Sequence, residues 1–504
     1  MNSEQTLKKP PYGMISILFV GAFVAFLNNT LLNVALPTIM KDFDITYSKV
    51  QWLATGYMLV SGILVPASAF FVTRFKNRHL FIAAMSVFTI GTVMAGFAPN
   101  FGTLLAGRMV QAAGAASMSP LLMNVMLISF PKEKRGAAMG IFGLVMISAP
   151  AIGPTLSGYI VEHHDWRMLF QMIIPFAVIS LLFGIWKLEN VMETREVHLD
   201  FPSVLLSTIA FGGILYGFST AGDKGWSSPW VYGTISVGFL ALIIFIFKQL
   251  RMDQPLLELR IYKYPMFALG SAISVIVSMA MFSGMILTPA YVQSIRGIDP
   301  FKAGLMMLPG ALAMGIMSPI TGKLFDKFGP RILAIIGLTI TTIATFGLAK
   351  LELDSSYTFI VSMYTIRMFG MSMVMMPIMT NGLNQLPQMM NPHGTAINNT
   401  LQQVAGAIGS AVMVTIMNNR TKAKAEELIA EAKANAAQSG VAPTPEQMQQ
   451  MQDQITQNAL LEGITHSFLI AAGVTVLALV LAFFLKRVKI ESSAASMDLK
   501  KTTK

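Results

Sequence analysis

The stretch SPITGKLFDKFGPRILAI (residues 318–335) leaves one long apolar run, crosses a short basic turn and enters another. It has a counterpart 253 residues earlier, VPASAFFVTRFKNRHLFI (65–82), that aligns without a gap. Identities at Lys49/Lys302, Gly62/Gly315, Pro66/Pro319, Phe75/Phe328, Arg78/Arg331, Leu80/Leu333 and Thr92/Thr345 include charged, proline and glycine positions that apolar composition alone does not pair. Past small gaps the correspondence continues. Arg108 with Pro120 and Asn124 matches Arg367 with Pro377 and Asn381, and Ala-Ile-Gly recurs at 151 and 407. The chain is therefore built from two related halves.

Outward from the repeat, the 504 residues are 54% hydrophobic and 12% charged, with a mean hydropathy of +0.60. Soluble domains carry about 25% charged residues. A helix crossing a bilayer needs about twenty mostly apolar residues. Fourteen segments qualify, near 14–40, 51–72, 79–98, 102–128, 136–161, 168–188, 202–221, 230–248, 266–293, 303–325, 330–349, 357–385, 395–417 and 464–486. The expected fold is an all-α polytopic membrane protein with 14 transmembrane helices, two six-helix halves plus two extra helices. Its parts are a cytoplasmic tail (1–13), a first half (14–188), two additional central helices (199–249), a second half (265–486) with an extracellular loop at 418–463 expected as two polar helical pieces, and a second cytoplasmic tail (487–504). Lys and Arg concentrate in alternate loops, including those holding Arg74, Arg78, Lys134, Arg251, Arg260 and Arg331. Basic loops stay in the cytoplasm, so both termini are expected there, in a cell (plasma) membrane of bacterial type. Parallel repeats of this kind belong to carriers whose substrate sits near the midplane between rocking halves.

Composition also excludes. The net charge of +11 is spread over short inter-span clusters and forms no single basic face, which argues against nucleic acid. There is no cysteine, hence no disulfide or Cys-ligated metal. No GxxxxGK[ST] loop for ATP occurs, and no nucleophile–base set, so neither an enzyme nor a cofactor or metal is expected.

Arg108 and Arg367 interrupt apolar runs, and a central Arg costs roughly 2.5–3.5 kcal/mol on insertion scales. With them the spans carry amides at Asn28, Asn29, Asn33, Gln111, Asn124, Asn381, Asn398, Asn399, Gln402 and Gln403, the candidate translocation residues. No Asp or Glu sits deep in an expected span. Two positive charges among amides point to neutral or anionic ligands rather than dications.

The segments NNTLLNVALP (28–37), RMVQAAGAA (108–116), APAIGPTLSG (149–158), DWRMLFQMIIP (165–175), PLLELRIY (255–262) and YVQSIRGIDPFKAGLMMLP (291–309) running into GKLFDKFGPR (322–331) resemble the major facilitator superfamily. Within it the chain looks like the fourteen-helix drug:proton antiporters of the EmrB/QacA type, most of all the lincomycin-resistance exporters. The resemblance implies a secondary-active multidrug exporter working by alternating access, with small-molecule substrates (lipophilic drugs or neutral and anionic amphiphiles) and protons as partners, acting as a monomer. A second reading is export of an anionic metabolite or signalling nucleotide with incidental drug efflux. It further implies a gating latch of Gly322, Asp326, Gly329 and Arg331, with Arg74 and Arg78 in the first-half copy. That copy has Ala69, Thr73 and Lys76 where the family pattern has Gly, Asp and Gly. Pro150, Gly153, Pro154 and Gly158 correspond to the antiporter packing motif. The family's intramembrane acids are replaced here by Asn28 and the amides of the thirteenth span, which leaves Glu162, Asp165, Asp223 and Asp326 as proton-coupling candidates.

Overall fold

The computed structural model describes residues 12–488 apart from 46, 51, 132–133, 193, 195, 197–198 and 440–443; the side chains of Asn33, Pro150, Pro154 and Asp223 also lie outside the described residues. The described chain runs through α1 (Tyr12–Asp42), α2 (Trp52–Arg74), α3 (Asn77–Gly96), α4 (Phe101–Ala115, resuming as Met118–Ser129), α5 (Arg135–His163) and α6 (Ile173–Lys187). Then come α7 (Phe201–Lys224) and α8 (Pro229–Arg251), followed by α9 (Pro265–Ser294), α10 (Pro300–Phe328), α11 (Pro330–Leu348), α12 (Tyr357–Ser372, resuming as Met375–Gln385), α13 (Asn391–Ser439) and α14 (Pro445–Ala482). Among the described residues thirteen segments are long and apolar enough to cross a membrane. The 29-residue α5 occupies the place of the remaining expected span.

Local chemistry sets these ends. Pro229, Pro265, Pro300 and Pro330 sit at helix starts, where the missing N–H is not needed. Asn100, Asp200, Asp299, Ser356 and Thr444 cap helices through side-chain oxygens. α10 stops at Gly329, whose φ of +78° is open to glycine. Ile316, Ile343, Phe247 and Trp186 are exposed, as a lipid-facing shell requires.

Two seams join the halves. At one, α5 packs on α10 from end to end. A Cβ on Gly140 would lie 2.6 Å from the Ser318 carbonyl oxygen, and one on Gly322 would lie 2.2 Å from that of Gly136, so glycines permit backbone contact here. At the other, α2 packs on α13, and α7 lies across both. Trp226 donates its indole N–H to Thr415 of α13 at 2.6 Å, while the Tyr216 ring of α7 lies 5.6 Å from that of Trp52 of α2, tilted by 38°. α7 thus covers that seam, with α8 packed against α7.

Their linkers are gripped by polar side chains. Asn77 donates to the Glu189 carbonyl (2.7 Å) and accepts from Val191 N–H (2.9 Å). Gln249 accepts from Leu257 N–H (3.2 Å), and His393 of α13 accepts from Glu258 N–H (3.2 Å). PLLELRIY is therefore a docking segment. α13 is 49 residues long in all, roughly 73 Å at 1.5 Å per residue, and so runs well past the end of the expected span of 395–417. The expected polar loop is the continuation of α13 and α14 as a helical pair, fastened by Arg420 and Glu462 at 2.8 Å.

Candidate functional site

Arg108 is fully buried in the first half. Its Nη1 donates to Asn28 Oδ1 (2.8 Å) and Gln111 Oε1 (3.0 Å), its Nη2 to Asn29 Oδ1 (3.4 Å) and its Nε to the Leu53 carbonyl (3.4 Å). Its guanidinium lies 4.4 Å from the Tyr57 ring centroid. Gln111 is fixed in turn by donating to Thr92 Oγ1 at 2.9 Å. Hydrogen bonds to a charged group contribute about 1.5–3 kcal/mol each, so four of them and the ring offset the roughly 3 kcal/mol insertion cost without a carboxylate. Among the described residues no Asp or Glu is buried.

Arg367 is the second-half counterpart and is equally buried. Its Nε donates to Thr345 Oγ1 (3.2 Å) and its Nη2 to the Ala280 carbonyl. Thr92 and Thr345 are aligned in the sequence repeat, so each half anchors its arginine on the same threonine, through Gln111 in the first and directly in the second. The symmetry is incomplete. Nη1 of Arg367 has no hydrogen-bond partner among the described residues, and it lies against Gly284, where a Cβ would fall 2.1 Å from it.

The remaining amides disperse. Asn398 accepts from Ser271 Oγ (3.1 Å) and Gln402 donates to Met379 Sδ (3.8 Å). Asn391, Thr395 and Asn399 follow one another at intervals of four along α13, and each has a buried polar atom without a partner among the described residues. Gln403 is half-buried beside them. Asn124 donates to the Pro120 carbonyl (2.8 Å) and leaves its Oδ1 unpartnered. Asn381 holds the chain after α14 instead, donating to the Lys486 carbonyl (3.1 Å) and accepting from Val488 N–H (3.2 Å). Asn33 lies outside the described residues.

Asp326 crosses between the halves. Its Oδ1 accepts from Gly136 N–H and its Oδ2 from Ala137 N–H, both at 3.0 Å, at the first turn of α5. Gly322 supplies the close approach, Gly329 turns the chain and Arg331 is exposed alongside. Arg135 adds a bond to Asn384 Oδ1 at 3.2 Å. The first-half copy is looser. Arg78 donates to the Ile185 carbonyl, and Arg74 pairs with the exposed Glu196 at 3.8 Å.

In the packing motif, Gly153 faces Thr30 of α1 and Gly158 faces Phe301 of α10. Pro150 and Pro154 fall outside the described side chains. Of the proton-coupling candidates, Glu162 is exposed and Asp165 pairs with Arg167 at 3.3 Å, both far along the chain from Arg108, while Asp223 is not described. Arg167, missed in the sequence, also bridges to Asp42 (3.2 Å) and donates to the Ala98 carbonyl (3.3 Å). With Trp166 donating to Asp42 at 3.1 Å, DWRMLFQ becomes the clasp over the ends of α1, α3 and α5. The only earlier signal for it was the motif itself.

Comparisons with known proteins bear on the family and the fold. The Major Facilitator Superfamily profile matches residues 18–410. The chain is 48% identical over 413 residues to the uncharacterized MFS-type transporter YhcA of Bacillus subtilis, covering 82% of this chain and 78% of that one. It is 45% identical over 480 residues to the lincomycin resistance protein LmrB of the same species, covering 95% and 96%. Among solved structures, the human organic anion transporter MFSD10 superposes with a TM-score of 0.66 at 12% identity, over 94% of this chain and 100% of that one. The chain belongs to the major facilitator superfamily and is a multi-pass membrane transporter.

Proposed function

We propose that the chain is a secondary-active exporter of lipophilic drugs and related amphiphiles, exchanged for inward-moving protons. The two six-helix halves rock about a central site, and the face holding Tyr12 and Val488 is cytoplasmic. The observation that carries this reading is the Asp326 carboxylate capping α5 across the α5/α10 seam, a contact between halves that alternating access must break and remake. The resistance named for LmrB supports a drug as cargo. Among the described residues the central amides outnumber titratable groups, so neutral hydrogen-bonding compounds fit best. The test is proton release from purified protein on adding cationic, neutral and anionic compounds in turn. Release with at least one transported class is expected; transport with no proton movement in any class removes antiport.

Export of an anion is favoured by one feature, the unpartnered Nη1 of Arg367. Arg108 already makes four hydrogen bonds within its own half, so the second reading rests on Arg367. Arg367→Gln then weakens an anionic substrate more than a neutral one. Equal effects on both discard it.

A further inference from the structure

The segment that follows α14 is built into the latch. Arg487 Nη2 donates to the main-chain carbonyl of Asp326 at 2.6 Å, and Nη1 to that of Lys327 at 3.2 Å. These are carbonyls of the last turn of α10, which have no partner within the helix. The Arg487 side chain also lies along Gly329, its Cδ 3.2 Å from where a Cβ would stand. Its own backbone is held on both sides, because Asn381 of α12 clasps the Lys486 carbonyl and Val488 N–H. Asp326 is thus gripped twice, by its carboxylate from the first half and by its carbonyl from the chain beyond the last span.

We infer that Arg487 is a positioning residue of the cytoplasmic gate: its guanidinium fork, set in place by Asn381, fixes the end of α10 so that the Asp326 carboxylate meets α5. The inference rests on the alternating-access reading above. The fork is suited to the task because a planar guanidinium addresses two successive carbonyls at once and complements the negative end of the helix dipole. An ammonium reaches one at a time. Loosening the end of α10 disfavours the closed cytoplasmic seam without touching any residue in the span interior.

The chain has no cysteine, so single cysteines report accessibility directly. Ser318 is 2% exposed and its Oγ donates to the Gly140 carbonyl at 2.8 Å inside the α5/α10 seam. Ser318→Cys in inverted vesicles is treated with an impermeant maleimide, alone and combined with Arg487→Ala, Arg487→Lys, Asn381→Leu and Asp326→Asn. Arg487→Ala is expected to speed labelling by about fivefold to tenfold, the population change that follows from losing a charge-assisted hydrogen-bond pair. Arg487→Lys falls between, and Asn381→Leu resembles Arg487→Ala. If Asp326→Asn speeds labelling and Arg487→Ala, at normal abundance, does not, the inference fails while the latch stands. If neither changes labelling, the latch reading fails and the inference with it. A purely structural role is overturned or upheld by the Lys variant, since restored abundance without restored labelling rate separates gating from folding.

Discussion

The Asp326 carboxylate, carried by the second half, accepts the main-chain N–H groups of Gly136 and Ala137 in the first, each at 3.0 Å. Those donors belong to the unsatisfied first turn of α5. A carboxylate at a helix N-terminus contributes about 0.3–1 kcal/mol through the dipole, rising to about 2 when partly buried. Asp326→Asn keeps the shape, but leaves one acceptor oxygen for two donors and no charge. Transport is expected to fall severalfold at unchanged membrane abundance, measured as substrate efflux from energised cells beside an immunoblot. Unimpaired efflux removes the latch.

Asn28 stands where proton-coupled relatives often carry an acid, and it gives Arg108 its shortest bond, at 2.8 Å. Asn28→Leu leaves a buried guanidinium short of one acceptor, a loss of about 1–3 kcal/mol. A lower melting temperature in detergent is expected for it. Asn28→Asp offers a charged acceptor at the same place and is expected to melt no lower than the wild type. The reverse order of the two variants refutes this account of Arg108.

The all-helical, membrane-spanning architecture was legible because apolar length is written in contiguous residues, with thirteen of the fourteen expected spans long and apolar enough among the described residues. Burial of Arg108 and Arg367 followed from their apolar neighbours. What escaped was side chain to distant main chain. Asn77 meets residues 189–191, and Asn381 meets 486 and 488, more than a hundred positions away in each case. A carbonyl or N–H has no residue identity, so such pairings leave no pattern in a single sequence. Asn381 illustrates the cost of this: its place in the repeat suggested the translocation path, and its geometry shows a clasp on the tail. The DWRMLFQ clasp was visible only as a motif, since Asp42, its acidic partner, sits beyond the first span without a recognisable spacing.

Asp200 caps α7 through Ser203 N–H and pairs with Lys248 of α8. Burial alone pushes its carboxyl up, but bonds from Lys248 and Ser203 outweigh it and hold the group below the usual carboxylate value. A depressed folded pKa contributes stability that is present above the unfolded value, about 4, and is lost as pH falls through the folded value. Asp200→Asn retains the cap and removes the charge. At neutral pH the variant is expected to be less stable by up to about 1 kcal/mol, and the gap should close below about pH 4. A gap that persists in acid assigns the effect to something other than ionisation.

Topology follows from placing single cysteines at two exposed sites. Lys76, between α2 and α3, and Gln449, on the first turns of α14, are both exposed. In intact cells an impermeant maleimide should modify Gln449→Cys and spare Lys76→Cys, with the latter labelled once the membrane is opened. The opposite pattern inverts the orientation.

The α5/α10 seam offers a wedge at each end. A Cβ on Gly136 would stand 2.3 Å from Asp326 Oδ1 and 2.5 Å from the Gly322 carbonyl oxygen. Backbone cannot step aside, so even Gly136→Ala forces the two helices apart at the latch. At the other end the nearest atoms to a Cβ on Gly158 would all belong to the Phe301 ring, the first at 2.6 Å. A ring can rotate away, so a larger residue is needed there, and Gly158→Leu supplies it. In a rocking carrier, opening one end closes the other, and the two variants should bias the population in opposite directions. Two buried probes read the outcome: Ser318→Cys near the latch and Ser157→Cys beside Gly158. Gly136→Ala is expected to speed modification of the first and slow the second, with Gly158→Leu doing the reverse. Both variants should transport slowly, because each stabilises one half of the cycle at the expense of the other. If the two wedges change the same probe in the same sense, α5 and α10 do not part by rocking and the seam is a static contact.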